Sequence, residues 1–366
     1  MFKHRLAVYI DWALLGAIGI LGAIGAAIVF SATYDPTSGS VGVEFYRHLV
    51  ALAIGVAALV GCLMVDYRTL ADRSLFIYAG LVAILVLTLF VGTEQGGAQR
   101  WVGIGPLSGQ PSELARLVLA LVLASVYARN SPARRALRDW IVGAAVVALP
   151  FVLIARQPDL GTAVTLLPVC LTIMMFAGLR IRVLAVVALL AVLAAPLVWA
   201  YGLEEYQQRR ISSFLDPEQD PQGAGYQQRQ ARITVGSGGL TGRGFLQGTQ
   251  NQYNFLPVAH NDFIFSVLAE EHGFVGVSIA LILYLFVILR SLDAARVARD
   301  STGMYLVAGI VAGFTFQVVY NITMSVGLAP VKGLTLPLMS FGGSSIIATL
   351  MGFGLILNVR MRRFRN

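Results

Sequence analysis

The sequence predicts an all-α integral membrane protein, and two features of its composition lead to that fold class. Of the 366 residues, 57% are hydrophobic and only 13% are charged, whereas soluble domains carry about 25% charged residues. The apolar residues also form repeated runs of about 20 residues, long enough to cross a hydrocarbon core about 30 Å thick. Because lipid offers no partners to backbone polar groups, these runs are expected to be helices.

About ten membrane spans are predicted, in a single polytopic domain that covers residues 1–366. A long loop, residues 202–261, separates the seventh span from the eighth. Loops of this length are usually functional or disordered. The predicted spans cover residues 12–33, 47–66, 74–92, 112–129, 139–156, 160–178, 183–201, 262–290, 304–327 and 336–359.

Two stretches of the long loop have a recognisable local pattern. Residues 204–215, EEYQQRRISSFL, favour a short amphipathic helix on the membrane surface. Residues 236–244, GSGGLTGRG, match no specific phosphate-binding motif. Turn-forming residues dominate this second stretch, so a flexible connector is one interpretation of it.

The basic residues predict the orientation in the membrane. When the loops are assigned alternately to the two sides, most arginines fall on one side, which is expected to be cytoplasmic. Both termini are then cytoplasmic, the long loop is extracytoplasmic, and the net charge of +8 reflects membrane orientation, with no nucleic acid as partner. The residues on the basic side are Lys3, Arg5, Arg68, Arg73, Arg129, Arg134, Arg135, Arg138, Arg180, Arg182, Arg290, Arg296, Arg299, Arg360, Arg362, Arg363 and Arg365. The short loops of the other side hold Arg47, Arg100, Arg156 and Lys332.

A few ionisable residues interrupt the apolar pattern at the predicted extracytoplasmic ends of the spans. Ionisable groups at membrane depth are expensive, so each is a candidate functional residue. Their common level in one leaflet predicts a polar cavity that opens outward. They are Glu113, Arg116, Asp159, Asp262, Glu270 and Lys332.

Structural alternatives exist for most of these residues. Asp262, at the predicted start of the eighth span, can be a reactive acid or only a helix N-cap. Glu113 and Arg116 are three positions apart on one helix face and can form a structural ion pair. Asp159 follows a proline and can stabilise a turn. Glu270 lies about 12 Å deeper than Asp262 along a helix and can tune that acid or bind a cation.

Seven ordered motifs connect these residues with a known family. They resemble motifs of the SEDS proteins (shape, elongation, division and sporulation), which are peptidoglycan polymerases, and the resemblance covers essentially the whole chain. The segment GTQNQYNFLP favours the elongation branch of that family, whereas KGLTLP is more typical of the division branch. The motifs are GAQRW, QPSELAR, QPDLGT, ISSFLDPEQDPQGAGYQ, GSGGLTGRGFLQGTQ, FLPVAHNDFIFSVLAEE and KGLTLPLMSFGGSS.

The resemblance implies a function and a set of partners. Such proteins join lipid II units into glycan strands at the outer face of the bacterial cytoplasmic membrane and release undecaprenyl pyrophosphate. Asp262 matches the essential acid of the family, and part of the active site is expected in loop 202–261. A class B penicillin-binding protein transpeptidase and other membrane proteins of the elongation complex are the implied partners. Asn261 and Arg116 depart from the family pattern, which usually has Thr and, in the elongation branch, often Lys at these positions.

This chemistry suggests roles for the polar residues. Asp262 can accept the proton of the attacking sugar hydroxyl, and cations must neutralise the departing pyrophosphate. Trp101 can stack on a sugar ring or anchor the chain at the interface. A divalent cation, Mg or Mn, held by Asp262 or Asp159 is a further option, although the sequence contains no dedicated metal motif. The candidate cations for the pyrophosphate are Arg100, Arg116, Arg210 and Lys332.

A lipid II flippase is the alternative function. A transporter needs polar groups through both leaflets, commonly near the midplane, and Asn321 together with the run SFGGSS at residues 340–345 can line such a path. The one-sided distribution of the acids favours the polymerase.

Overall fold

A computed structural model describes residues 9–95, 98–103, 109–129, 135–216, 218, 220, 223–253, 255–257 and 259–363. Within these residues, helices α1, α2, α4 to α8 and α12 to α14 coincide with the predicted spans. The helices are α1 (Trp12–Thr33), α2 (Val43–Met64), α3 (Tyr67–Asp72), α4 (Ser74–Val91), α5 (Ser112–Ala128), α6 (Leu137–Ala155), α7 (Leu160–Phe176), α8 (Ile181–Leu197), α9 (Glu205–Leu215), α10 (Ala224–Ser237), α11 (Thr249–Gln252), α12 (Ile264–Arg296), α13 (Ser301–Ser325) and α14 (Gly343–Met361).

The helix lengths confirm an α-helical multi-pass membrane protein. Eight of the described helices are long and apolar enough to cross a membrane. Helices α5 and α7 have 17 residues each, which is the lower limit for a span of about 17 to 25 residues. The number of ten spans and the position of the termini stay predictions.

Two short antiparallel hairpins, which the sequence did not predict, connect spanning helices. Strands β1 (Tyr34–Asp35) and β2 (Ser40–Val41) join α1 to α2. Strands β3 (Thr93–Gln95) and β4 (Ala98–Trp101) follow α4 and precede α5. Both hairpins lie outside the helical bundle, so the fold class is unchanged.

Helices α13 and α14 form the centre of the bundle. Helix α14 packs against α2, and α13 packs against α5, α7 and α12. Small residues let these helices approach closely, because a Cβ at Gly354 would lie 2.7 Å from the carbonyl oxygen of Leu59. Close contacts of this kind are the usual source of helix association in lipid.

Helix α8 differs from the other spanning helices because none of its residues is buried. Its large apolar side chains, such as Leu189 and Val192, are more than half exposed. It contains Pro196 and continues into a π-helical turn, Val198–Gly202. These side chains are expected to face lipid, because the rest of the described protein does not cover them.

An ionic cluster joins three helices at the predicted cytoplasmic end. Asp11 caps α1 by accepting a hydrogen bond from the backbone N–H of Leu14, at 3.2 Å. Its other carboxylate oxygen lies 2.8 Å from Nε of Arg290 and 3.1 Å from Nε of Arg360. Arg360 also pairs with Asp293 at 3.0 Å. The start of α1 and the ends of α12 and α14 are thereby held together.

Two further ion pairs continue this cluster. Asp66 pairs with Arg362 at 2.9 Å, and Asp300 pairs with Arg68 at 2.8 Å. Asp66 and Asp300 also cap α3 and α13. The arginines of both pairs belong to the set that predicted the cytoplasmic side, and the structure shows that they also connect helices of the bundle.

The long loop between α8 and α12 contains three helices. Helix α9 confirms that residues 204–215 form a short helix, while its position on a membrane surface stays a prediction. Helix α10 packs against α12, and α9 packs against α10. The loop is therefore a folded part of the protein.

Helix α12 is broken at Gly273, where φ is 62° and ψ is −161°. Before the break, the helix from Ile264 to Glu271 is fully enclosed by protein. After it, side chains such as Phe274 and Ile282 are 66% and 64% exposed. The prediction of one continuous span across residues 262–290 was wrong in this respect, because the part with a lipid-exposed face begins only at Phe274.

The break is closed by an inserted loop, which we define as residues 239–244. In a continuous helix, the N–H groups of residues 274 and 275 would bind the carbonyls of residues 270 and 271. Here the inserted loop binds all four groups. The bonds are Phe274 N–H to Gly239 O at 2.9 Å, Val275 N–H to Leu240 O at 3.1 Å, Arg243 N–H to Glu270 O at 2.9 Å and Gly244 N–H to Glu271 O at 3.0 Å. The flexible-connector interpretation of residues 236–244 was therefore wrong.

Substitution of Gly273 by alanine tests the break. A Cβ there would lie 2.3 Å from the backbone N of Gly242 in a left-handed conformation, so Gly273→Ala is expected to lower the free energy of unfolding by about 1 to 3 kcal/mol. Gly236→Ala is the matched control, because its Cβ would contact nothing within 4 Å and alanine favours the helix. Thermal unfolding in detergent measures both, and equal melting temperatures would contradict the role assigned to the break.

Removal of Asp11 tests the ionic cluster. Asp11→Ala leaves the buried guanidinium of Arg360 with Asp293 as its remaining carboxylate, and loss of one partner of a buried pair costs about 3 kcal/mol. The control is Glu205→Ala, which removes an exposed pair with Arg209 and should change stability by less than about 1 kcal/mol. Denaturant unfolding in micelles compares the two variants, and similar losses in both would refute the assignment.

Candidate active site

Asp262 lies just outside the start of α12, which begins at Ile264 with Phe263 in the capping position. The sequence placed Asp262 at the first position of this helix, which is wrong by two residues. Asp262 is partly exposed, and its backbone oxygen accepts a hydrogen bond from Nδ2 of Asn321 at 2.9 Å. Its carboxylate lies against Gly333, with Oδ2 3.4 Å from the position that a Cβ would occupy there.

The segment around Gly333 lies between two acids. Gly333 adopts a φ of 65°, and the backbone oxygen of the preceding residue, Lys332, approaches Gly161 at the start of α7. The Lys332 ammonium lies 5.8 Å from the ring centroid of Tyr320. Lys332 therefore stands between Asp262 on one side and the start of α7, with Asp159, on the other.

Asp159 is buried and caps α7. One oxygen accepts a hydrogen bond from the backbone N–H of Thr162 at 3.0 Å. The other accepts from Oγ1 of Thr162 at 2.8 Å and from Nε2 of Gln110 at 2.5 Å. The turn-stabilising interpretation of Asp159 thus describes its contacts, and the bond to Gln110 also links the turn to the start of α5.

A cavity of about 170 Å³ brings three of the candidate residues together. Asp159, Arg210 and Lys332 line it, with Gln207 one turn before Arg210 on α9. Burial, and in addition the positive charge of Arg210, lower the pKa of Lys332 below its ordinary value. Two cations among the lining residues make this cavity suited to an anionic group.

Glu113 and Arg116 form the predicted ion pair, at 2.6 Å, inside the bundle. Arg116 also donates a hydrogen bond to Gln317. The Nε2 of Gln317 in turn lies 3.4 Å from the hydroxyl oxygens of Thr335 and of Ser345. Through Gln317, the pair therefore supports the loop that contains Lys332. Neither residue of the pair lines the cavity of about 170 Å³.

Glu270 lies beneath the long loop, away from this cavity. It is fully buried, and its Oε1 accepts a hydrogen bond from the backbone N–H of Gln250 at 3.0 Å. The neighbouring Glu271 accepts a hydrogen bond from Ser31 near the end of α1. These bonds tie the loop and α1 to the first part of α12.

Of the two candidate residues in the GAQRW motif, the structure describes Trp101 with its side chain and Arg100 only in its backbone. Trp101 ends β4 and is partly buried, and its backbone oxygen accepts a hydrogen bond from Thr93 at 3.3 Å. The side chain of Arg100 lies outside the described part of the structure. Neither is among the described residues that line the cavity.

The side chains that line the cavity offer few oxygen ligands to a divalent cation. Asp159 is the only carboxylate that lines the cavity in the described structure, and both of its oxygens already accept hydrogen bonds. No group of three or more His, Cys, Asp or Glu side chains suited to a metal occurs among the described residues. We derive no step through a metal ion.

Sequence reasoning missed two glutamines that shape the site. Gln110 connects Asp159 with Ser344, whose hydroxyl accepts its backbone N–H at 2.7 Å, and Gln207 lines the cavity. Gln207 could have been found from its spacing of three from Arg210 on one helix face. No comparable spacing indicated the role of Gln110, because its partners, Asp159 and Ser344, are distant in the sequence.

Comparisons with known proteins give a consistent result. The family model of the cell cycle proteins FtsW, RodA and SpoVE matches residues 7–364. The peptidoglycan glycosyltransferase MrdB of Escherichia coli K12 is 36% identical over 317 residues, which cover 87% of this chain and 85% of that protein.

Two solved structures share the fold over the whole chain. One is a chain of a complex described as "Structural coordination of polymerization and crosslinking by a peptidoglycan synthase complex", with a TM-score of 0.85, 34% identity and coverage of 98% of this chain and 99% of that one. The other is the rod shape determining protein RodA of Thermus thermophilus, with a TM-score of 0.73, 32% identity and 98% coverage of both chains. This protein therefore belongs to the FtsW/RodA/SpoVE family of cell cycle proteins, the SEDS family that its sequence motifs resemble.

Proposed function

We propose that this protein is a peptidoglycan glycosyltransferase that polymerises lipid II at the outer face of the bacterial cytoplasmic membrane, for cell elongation and shape. The observation that carries the proposal is the position of the Asp262 carboxylate beside the loop that bears Lys332, next to a cavity lined by Lys332 and Arg210. Glycosyl transfer from a pyrophosphate donor requires a base for the acceptor hydroxyl and positive charge near the leaving group. A carboxylate and two cations can supply both. The glycosyltransferase name of MrdB supports the same reaction.

The proposed arrangement in the membrane has ten spans, both termini in the cytoplasm and loop 202–261 outside. The arginines of the ionic cluster around Asp11 and Arg360 support a cytoplasmic position for that end of the bundle. Ser31, near the other end of α1, reaches Glu271, so the Asp262 region belongs to the opposite side. A lipid-linked substrate suits this position, because its polyprenyl tail needs lipid while its sugars need water.

In the proposed reaction, Asp262 acts as the general base. It accepts the proton of the 4-hydroxyl of the acceptor GlcNAc as that oxygen forms a bond to C1 of the donor MurNAc. The bond from C1 to the phosphate oxygen breaks at the same time, and undecaprenyl pyrophosphate leaves with the electron pair. A single inversion converts the α-linked donor into a β-linked product.

The leaving pyrophosphate is neutralised by Lys332 and Arg210 in this proposal. Arginine binds phosphate oxygens in a bidentate way, and lysine acts as a point charge. Arg116 contributes through Gln317 and Thr335, which support the Lys332 loop. Arg100 and Trp101 remain candidates for contacts with the phosphate and a sugar ring, and Glu113 and Glu270 act by holding their neighbours.

A class B penicillin-binding protein is the proposed partner, because the new glycan strand must be crosslinked. The similar chain that belongs to a peptidoglycan synthase complex supports this proposal. Other membrane proteins of the elongation complex are further proposed partners.

Asp262→Asn tests the proposed base. The amide keeps the shape of the side chain but cannot accept the proton, so the polymerisation rate is expected to fall by about 100-fold or more. Fluorescent lipid II is given to the purified protein, with and without its partner, and glycan ladders are resolved on a gel.

The control for this variant is Asp35→Asn, an exposed acid of the first hairpin, which should leave the ladders unchanged. Ladders that persist in Asp262→Asn would refute the proposed base. If the wild type makes no ladders, while liposomes show lipid II flipping that survives Asp262→Asn, the protein is a flippase.

Lys332 variants test the cation. Lys332→Met is expected to lower kcat by about 100-fold, since removing one charge-stabilising group has an effect of that size. Because the pKa of Lys332 is lowered, the wild-type rate should fall on the alkaline side as the ammonium loses its proton. Lys332→Arg does not titrate there, so its alkaline limb should move to higher pH.

Rate profiles measured against pH in detergent check both outcomes. Arg209→Met is the matched control, because Arg209 precedes Arg210 on α9 but has a 77% exposed side chain. Its profile should equal that of the wild type. An alkaline limb that stays in place in Lys332→Arg would exclude Lys332 as the titrating group.

A further inference from the structure

Asn321 lies in α13, fully buried, between the two segments that carry the proposed reacting groups. Its Nδ2 donates a hydrogen bond to the backbone oxygen of Asp262 at 2.9 Å. The same nitrogen donates to the backbone oxygen of Leu334 at 2.6 Å. Leu334 is two residues beyond Lys332, so one amide nitrogen joins the segment of the acid to the segment of the cation.

The orientation of this amide follows from its two acceptors. If the amide were rotated by 180°, its oxygen would face two carbonyl oxygens, and no proton would lie between them. With the observed orientation, Oδ1 is buried without a hydrogen-bond partner among the described residues. Buried polar atoms rarely remain unpaired without a compensating gain elsewhere. Here the gain is the simultaneous hold on two backbone segments.

Neither of those segments is fixed by regular secondary structure at this point. Asp262 precedes α12, and Leu334 lies in the stretch without helix or strand between α13 and α14. A span in the bundle core is rigid compared with such loops. Asn321 is therefore a point at which α13 connects the backbone of Asp262 with the segment that follows Lys332.

We propose that Asn321 is a positioning residue, whose amide holds Asp262 and the Lys332 segment in register for glycosyl transfer; this inference rests on the proposed function. Asn321 acts through Asp262 and does not itself exchange a proton with substrate. The alternative role for Asn321, as part of a transport path for a headgroup, needs an amide that substrate can reach, whereas both of its protons are already used and its oxygen is fully buried.

Asn321→Leu tests the proposal, because the leucine side chain has the same number of heavy atoms, branches at the same carbon and has no hydrogen-bond donor. A displacement of a reacting group by about 1 Å can lower a rate by about 100-fold, so kcat for lipid II polymerisation is expected to fall by about that factor. The KM for lipid II should change less than about three-fold, because Arg210 and the other residues that line the cavity remain in place and the lost register acts mainly in the transition state.

Asn358→Leu is the matched control. Asn358 is also fully buried, and its Nδ2 donates to the carbonyls of Cys62, Leu63 and Val65 at the opposite end of the bundle. Both variants should lower the melting temperature, but only Asn321→Leu should lower kcat of the folded protein. Equal specific activities of the two folded variants would overturn the proposal.

A double-mutant cycle separates this inference from the proposed function. In Asp262→Glu the carboxylate is already displaced, so adding Asn321→Leu should reduce the residual kcat by less than about three-fold, since residues that act as a unit are not additive. If the two reductions multiply in full, Asn321 does not act through Asp262. If Asp262→Ala remains fully active, the proposed base itself is wrong, whereas an inactive Asp262→Ala with an unimpaired Asn321→Leu defeats only the positioning role.

Discussion

The break in α12 at Gly273 is the constraint on which the arrangement of the site depends. A helix interrupted inside a membrane protein exposes backbone groups that lipid cannot satisfy. The inserted loop, residues 239–244, satisfies four of them and is thereby held in one position. Along the sequence, Asp262 lies between the inserted loop and Gly273. Both ends of its segment are therefore anchored, and the Asp262 side chain is held in a fixed position.

The polar residues of the bundle serve different purposes at its two ends. At the end with Asp11 and Arg360, acids and arginines pair with each other, and the acids also cap helices. These ion pairs hold the helices together. At the other end, Arg210 and Lys332 line a cavity. Like charges that share one small space repel each other, which contributes to the lowered pKa of Lys332 and favours the binding of an anion there.

Sequence reasoning found the helices more completely than the site. The spans were predictable because an apolar run of sufficient length has one stable form in lipid. Asp159 and Lys332 were identified from their cost in or near a span, and Arg210 as a candidate cation for the pyrophosphate; the structure brings all three to one cavity. Glu270 was expected to tune Asp262 or bind a cation, and this role stays a prediction; its Oε1 accepts a hydrogen bond from Gln250 and lies 3.8 Å from Nε of Arg243. The break of α12 at Gly273 was missed, since a glycine inside an apolar run does not reveal its φ.

By itself, the sequence determined the membrane class, the helical segments, the family and the choice of Asp262, because these depend on local composition and on ordered motifs. The tertiary structure alone decided which of the charged residues meet. The pairing of Glu113 with Arg116 is local and was predicted, whereas the bonds of Asn321 to Asp262 and Leu334 join three separate segments. Such contacts depend on how helices pack and where a backbone turns, and neither is encoded by residue spacing along one element.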